Sequence, residues 1–433
     1  MNTESFQPKI TMKKRLLFIF FLAFCFANAQ HGLEKDIDAI ESKLIEWRRD
    51  FHQNPELSNR EFKTAEKIAK HLRSLGLEVQ TGVAHTGVVG ILKGELPGKV
   101  VALRADIDAL PVTERTDVPF KSTVRTTFND VETGVMHACG HDTHISILMG
   151  TAEIFSKHKD KIRGTIVFIF QPAEEGAPKG EEGGAELMVK EGVLKNPDVD
   201  VIFGLHISAG QDVGTINYKP GGIMAASQSF EIKVKGKQSH GSRPWSSIDP
   251  IMISAKIIDA LQTIISRESE LTKEGAVITV GKITSGVRSN IIPENATMIG
   301  TIRTLDYDMQ AFINKRMEEM VPAIAKAYRG EATIEIAKGY PITYNDPKLT
   351  AQMLPSLQKA AGAENVNVIK AITGAEDFSF FQKEVPGLYF FLGGKTVGKD
   401  PTSHHTPDFY IDESGMKLGV KTFVQLTLDY LNN

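Results

Sequence analysis

The chain has 433 residues, of which 41% are hydrophobic and 24% charged, and its formal net charge is −3. This is an ordinary water-soluble composition, long enough for two or three domains of usual size. No long Lys/Arg run occurs beyond the N-terminus, so the electrostatic footprint of a nucleic-acid binder is missing and small molecules or peptides are the expected partners.

Residues 1–11 read as an extension upstream of the true start. From Met12 the sequence runs MKKRLLFIFFLAFCFANAQ, with a basic start, an apolar stretch from Leu16 to Phe26 and the small-residue site Ala27-Asn28-Ala29. This is the pattern of a secretory signal peptide over residues 1–29. The mature protein is expected to begin near Gln30 and to be periplasmic or secreted. The apolar run is shorter than the roughly 20 residues a spanning helix needs, so no membrane attachment is expected after cleavage. Bulky Phe24 before Cys25 does not suit lipid attachment. The other cysteine is Cys139, so the mature chain cannot form an intramolecular disulfide.

Ile37 to Asn54 and Glu61 to Gly76 carry apolar residues at helical spacing, the second ending at a glycine suited to a C-cap. Lys99 to Leu103, Gly164 to Gln171, Val199 to Leu205 and Leu388 to Leu392 are short apolar runs, as in buried strands of an α/β sheet. Between about Gly221 and Tyr340 the order changes to strand (Gln228 to Val234), helix (Pro250 to Glu268), strand (Val277 to Ile283), strand (Ala296 to Arg303), helix (Met309 to Arg329) and strand (Thr333 to Ile336). That β-α-β-β-α-β order is the ferredoxin-like unit. The expected class is therefore α/β, with one domain built from residues 30–220 and 341–433 and a second, 221–340, inserted into it.

Met136-His137-Ala138-Cys139-Gly140-His141-Asp142-Thr143-His144 concentrates imidazole and thiol groups, both good ligands for zinc-like metals, just before a helical run. Glu174 and Glu175 follow directly on the buried strand ending at Phe170, and in the extended backbone expected there neighbouring side chains point in opposite directions. One glutamate could then bind metal while the other faces substrate as a general base. Asp106 and Asp108 follow another strand, His206 ends a third, and His404 and His405 follow the last. Taken singly, each is equally consistent with a buried thiol, a cap or a solvated loop. Gathered at strand carboxyl ends, where open α/β sheets build their sites, they point to a metal centre. No Gly-x-Ser-x-Gly elbow of a serine hydrolase is present.

The motifs RADIDALP, MHACGHDTH, QPAEEG, FGLHI, SHGSRP, SNIIPE, GTIRT, GAEDFSFF and HHTPDF, in this order, resemble the amidohydrolase branch of the zinc aminoacylase/carboxypeptidase superfamily. Its relatives include indoleacetyl-amino-acid, hippurate and N-acetyl-amino-acid hydrolases. The resemblance implies a mixed-sheet, zinc-exopeptidase-like catalytic domain and a ferredoxin-like lid or dimerisation domain, hence a homodimer. It implies two divalent metal ions per subunit, zinc or manganese with cobalt or nickel as other choices, held by Cys139, His141, Glu175, His206 and His405. His405 is chosen over His404 because it directly precedes Thr-Pro. Glu174 takes the place of the general base and Asp108 that of the residue orienting a ligand, while Asp142 and His144 stand behind the ligands. Asp106 occupies a position where the wider superfamily has a His ligand, which leaves its own part open. His240, Asn290 and Arg303 are the implied substrate contacts, Arg303 for a substrate carboxylate. The expected reaction is hydrolysis of the amide of an N-acyl amino acid to an acid and a free amino acid, with a dipeptidase or carboxypeptidase as the alternative.

Overall fold

The computed structural model describes residues 32–433. The expected signal peptide, Cys25 and the expected mature start at Gln30 lie outside the described residues. None of the described helices is long and apolar enough to cross a membrane.

The larger sheet has eight strands in the spatial order Glu78–Val83, Gly87–Lys93, Arg163–Gln171, Leu96–Asp106, Val201–Asp212, Gly387–Lys395, Ile216–Tyr218 and Val366–Val368. Its four central strands, from Arg163–Gln171 to Gly387–Lys395, run parallel, while Glu78–Val83 and Gly87–Lys93 run antiparallel to their neighbours. A mixed sheet with a parallel centre needs cover on both faces, and the near-continuous apolar runs supply it. One face packs Leu103, Phe168 and Phe203 against helices Glu41–Gln53, His141–Lys157 and Met416–Asn432. The other packs Ile169, Ile202 and Tyr389 beneath the short helices Gly184–Lys190 and Ser379–Glu384.

Two sequence expectations shift. The helix expected over Ile37 to Asn54 is interrupted by a turn at residue 40 and continues as Glu41–Gln53. The strand expected to end at Leu205 runs on to Asp212, so His206 lies within a strand, paired with Phe391, and does not terminate one.

The inserted segment forms a separate antiparallel sheet in the order Ala276–Ser285, Asn295–Thr304, Ala226–Lys235, Glu331–Ala337. Helices Pro250–Thr263 and Tyr307–Ala327 pack on it through Ile253, Ile257, Ile313 and Met317, giving this unit its own core. Asp249 starts the first helix by accepting the Ile251 and Met252 N–H groups ahead of Pro250, and Asp306 starts the second by accepting that of Met309. The last turn of the first helix widens into a π-helix over Ile264–Glu268. Short strands Gly221–Met224 and Thr343–Asn345 pair antiparallel where the chain leaves and re-enters the larger unit.

Candidate metal centre and active site

The carboxyl ends of the parallel strands deliver the reactive groups to one place. Gly140 turns the chain from Cys139 into helix His141–Lys157 with φ +94°, and a Cβ there would lie 2.3 Å from Ile207 Cγ2, so only glycine allows this approach. His141 and His144, three residues apart on that helix, share its inner face.

Hydrogen bonding settles which imidazole nitrogens remain available. His141 Nδ1 donates to the Asp108 carbonyl at 2.9 Å and lies 3.2 Å from Asp108 Oδ1. That leaves His141 Nε2 buried and without a partner. His206 Nδ1 donates to the Ile207 carbonyl at 2.6 Å, and its Nε2 lies 3.3 Å from Cys139 Sγ. His405 Nε2 lies 3.0 Å from Glu175 Oε1 and 3.2 Å from Cys139 Sγ. By contrast, both nitrogens of His144 are committed, Nδ1 to Asp106 Oδ1 at 2.6 Å and Nε2 to the Ile207 N–H at 2.8 Å. His404 Nε2 accepts the Ala209 N–H at 3.1 Å, which makes its Nδ1 a donor, directed at Cys139 Sγ 3.7 Å away. Nitrogens that face only the cluster's own donor groups thus come from His141, His206 and His405, and not from His144 or His404, whose acceptor nitrogens are taken by backbone N–H groups.

This set fits a divalent metal. Cys139 groups with His141 and His206 on one side and with Glu175 and His405 on the other, each group with its donor atoms within 4.8 Å of one another. The electrostatics call for a cation. Burial, then Glu175, Glu174 and Asp106, pushes the Cys139 thiol well above its ordinary pKa, so a thiolate needs positive charge beside it. Burial lowers the His141 pKa, but Asp106, Asp108 and Glu175 outweigh it and raise the group to about 10. Asp106 is itself spent: its oxygens receive Arg104 Nη1 at 2.7 Å and His144.

The two glutamates depart from expectation. Ala173 sits at φ +52° and Glu174 and Glu175 form a turn, so the segment is not extended and the side chains do not point in opposite directions. Glu174 Oε2 and Glu175 Oε1 converge on His141 Nε2, at 3.8 Å and 3.9 Å. Their other neighbours separate them. Glu175 faces His405, whereas Glu174 lies against Glu376 and Asp377. Burial, then Glu376, Glu175 and Asp377, drives the Glu174 carboxyl well above the usual carboxylate range.

The substrate-contact candidates lie on the inserted unit. His240 and Ile291 pair across a two-stranded ribbon, and the Gly241 N–H donates to the Asn290 carbonyl at 2.8 Å, which puts His240 beside Asn290. The His240 ring accepts the Ser242 N–H at Nδ1, 3.1 Å away, and leaves Nε2 free. Arg303 is half-buried, and its buried Nη1 has no partner.

Several residues supporting the site were not singled out from the sequence. Arg104, fully buried, donates to Gln171, Asp106, Glu376 and Asp377, and the Tyr389 hydroxyl donates to Glu376 at 2.6 Å. Glu61 accepts the Ala173 N–H at 3.0 Å and the Thr86 hydroxyl, fixing the start of the glutamate turn. The Ser58 hydroxyl and the Glu175 N–H both donate to Asp108 Oδ2. Asp142 is held by Arg48 and His52. Glu376 and Asp377 belong to GAEDFSFF, and Arg104 opens RADIDALP, so the motifs carried the signal without the roles.

A parallel-centred α/β sheet with a thiolate-imidazole-carboxylate cluster at its carboxyl edge and an inserted ferredoxin-like unit is the architecture of a metal-dependent hydrolase. Residues 102–429 match Peptidase family M20/M25/M40, and the chain belongs to that family. It is 42% identical over 403 residues, 92% of this chain and 98% of the relative, to "Thermostable carboxypeptidase 2" of Saccharolobus solfataricus. It is 36% identical over 393 residues, 90% of this chain and 97% of the relative, to an "N-acetylcysteine deacetylase" of Bacillus subtilis. The crystal structure of the Bacillus subtilis YXEP protein, described as a dinuclear metal-binding peptidase, superposes with a TM-score of 0.77 at 34% identity, covering 91% of this chain and 99% of that one. The protein is therefore a metal-dependent amidohydrolase or peptidase.

Proposed function

We propose that the protein hydrolyses the amide of N-acyl amino acids at a two-metal centre held by Cys139, His141, Glu175, His206 and His405. The observation that carries this reading is the convergence of donor atoms on one spot, with His141 Nε2 buried and otherwise unpartnered and Glu175 and His405 facing each other across Cys139. The mixed soft and hard donors suit zinc, manganese, cobalt or nickel. Bound there, the ions supply Lewis acidity to the amide carbonyl and to water.

The chain's own groups then have distinct tasks. Glu174, whose carboxyl readily takes a proton among its acidic neighbours, accepts one from water and passes it to the leaving amine. Asp108 holds the His141 ring through Nδ1 and so aims its Nε2. His404 supports the Cys139 ligand from behind, and His144 fixes the Asp106 carboxylate. His240, with Nε2 free on an exposed ribbon, donates to the developing oxyanion when the inserted unit closes, and Asn290 beside it contacts the substrate. The unpartnered guanidinium of Arg303 takes the substrate carboxylate, a bidentate match of fork to anion.

The reading extends to a homodimer joined through the inserted unit. In support, its edge strand Ala276–Ser285 exposes Val277 and Ile283, an unpaired edge that a second copy can cover. Export rests on the Met12 to Ala29 pattern, and mass spectrometry of the mature protein should find its N-terminus at or near Gln30. Turnover of the metal-reconstituted protein on hippurate, N-acetyl amino acids and dipeptides tests the activity. Hydrolysis of dipeptides alone would favour the dipeptidase or carboxypeptidase reading, for which the name of the Saccharolobus relative speaks.

A further inference from the structure

The sheet of the inserted unit is covered by helices on one side only. Phe230, Ile232, Ile278, Met298 and Ile302 alternate along its strands and face the two helices. The residues between them, Ser229, Thr279, Thr301 and Arg303 among them, make up the other face and are exposed or half-buried. Arg303, with its unpartnered guanidinium nitrogen, therefore stands on the open face.

The pairing register fixes what lies beside it. Directly opposed residues of antiparallel strands share a face, with their Cβ atoms about 5 Å apart. Arg303 opposes Ser227 on one neighbouring strand and Val277 on the other. Ser227 in turn gives its N–H to the Tyr340 carbonyl at 2.9 Å, and the Tyr340 hydroxyl donates to the Glu174 carbonyl at 2.8 Å. Gly339 permits this close passage, since a Cβ there would meet the Ser227 carbonyl at 1.6 Å. One row thus runs from Glu174 through Tyr340, Ser227 and Arg303 to Val277, its neighbouring strands ~4.8 Å apart. An amino acid with its carboxylate on Arg303 and its amide toward Glu174 has Ser227 on the amide side and Val277 on the far side. Val277 is 41% exposed. The next row along the strands, Ser229, Thr301 and Thr279, carries no charge either. A second copy pairing along this edge would engage its backbone and leave the open face free.

We infer that Val277 reads the side chain of the amino acid released, and that it selects an uncharged aliphatic one. The inference rests on the amide-hydrolase reading with Arg303 as the carboxylate partner, and adds to it the residue that sets specificity. An aliphatic side chain laid on the Val277 isopropyl group leaves water together with it. A carboxylate or ammonium laid there gives up hydration and gains no partner, and an ammonium is also repelled by the Arg303 guanidinium. Thr301 offers no polar substitute, because its hydroxyl already donates to the Gln228 carbonyl at 3.0 Å.

The test keeps the acyl group constant and compares N-acetylleucine, N-acetylaspartate and Nα-acetyllysine on the metal-loaded enzyme. The wild type should favour the leucine substrate in kcat/KM by about tenfold, the scale on which one apolar contact surface discriminates. Val277→Lys should raise the aspartate-to-leucine ratio by about fivefold, the worth of a good exposed ion pair, and Val277→Asp should raise the lysine-to-leucine ratio by as much. Opposite shifts in the two variants are a signature that lost stability or a lost dimer does not produce. One folded variant suffices, since the aspartate and lysine substrates respond oppositely within it. A second readout needs no turnover: by calorimetry on the metal-loaded proteins, free leucine, aspartate and lysine should follow the same pattern. Variants that change all three substrates alike, or leave the ratios within about twofold of wild type, would overturn the assignment. A protein that cleaves none of the three amides but shows the opposite shifts in binding would sink the hydrolase reading and leave Val277 in its role.

Discussion

Replacing Glu174 by Gln keeps the shape of the turn and removes only the ability to carry a proton. The loss in kcat should be about 10²–10⁴-fold, the usual worth of a general acid-base group, or about 2.7–5.5 kcal/mol of barrier. Stability should move the other way. In the metal-free protein Glu174 is crowded by Glu376, Glu175 and Asp377, and its pKa stands above that of an exposed glutamate. A carboxyl raised on folding binds a proton that the unfolded chain releases, so stability falls as pH climbs from its unfolded pKa toward its folded one. The amide abolishes that penalty, and the metal-free variant should be at least as resistant to urea at pH 7 as the wild type. Its metal content should also match. Glu175→Gln exchanges an anionic donor for a neutral one next to His405 and Cys139, so it should lose metal and recover part of its rate when metal is added in excess. Elemental analysis beside a rate assay separates the two. If Glu174→Gln emerges metal-depleted, or keeps its rate within about tenfold of wild type, the division of labour argued above is wrong.

Other expectations concern the frame around these groups. Arg104→Met strands Asp106, Glu376 and Asp377, all buried, without their shared cation; the urea midpoint should report a loss of about 3–5 kcal/mol, and a loss below about 1 kcal/mol would show that the network is solvated. Metal binding should expel about two protons at pH 7, from His141 and the Cys139 thiol, because both are raised in the metal-free site. Calorimetric heats that do not vary with the buffer's ionisation enthalpy would contradict this. Burial and Asp108 raise the Glu61 carboxyl from 4.5 to about 8. Metal-free wild type should therefore lose stability as pH rises through that window, and Glu61→Gln should flatten the slope; identical urea midpoints against pH for the two proteins would refute it.

The sheet was legible because its strands are short apolar runs bounded by turns, and because acidic and imidazole residues follow those runs at the edge where parallel strands end. What escaped has physical causes. The opposed glutamates assumed extended backbone, but Ala173 adopts a left-handed φ, and alanine gives no sequence cue for that. The strand through His206 continues across Ser208-Ala209-Gly210-Gln211, which carries no β-pattern and is kept in the sheet by pairing with Gly393 and Lys395 far along the chain. Arg104 reads locally as a surface cation, since its partners Glu376 and Asp377 are 272 and 273 residues away. In the sequence, His405 is preferred to His404 only through the Thr-Pro that follows it, and the two adjacent imidazoles by themselves do not show why. In the structure one backbone donor, Ala209, occupies a nitrogen of the first and so speaks for the second.

Tyr340 closes the inserted unit, and its two bonds tie together parts that the topology otherwise keeps separate. Its carbonyl accepts the Ser227 N–H at 2.9 Å, at the root of the smaller sheet, and its hydroxyl donates to the Glu174 carbonyl at 2.8 Å. The chain enters and leaves the inserted unit through one pair of short strands, so any swing of that unit pivots close to this residue. A swing must then either tug the backbone of Glu174 or let go of it. If the inserted unit moves as the proposed function requires, a single phenol gears that motion to the seating of Glu174.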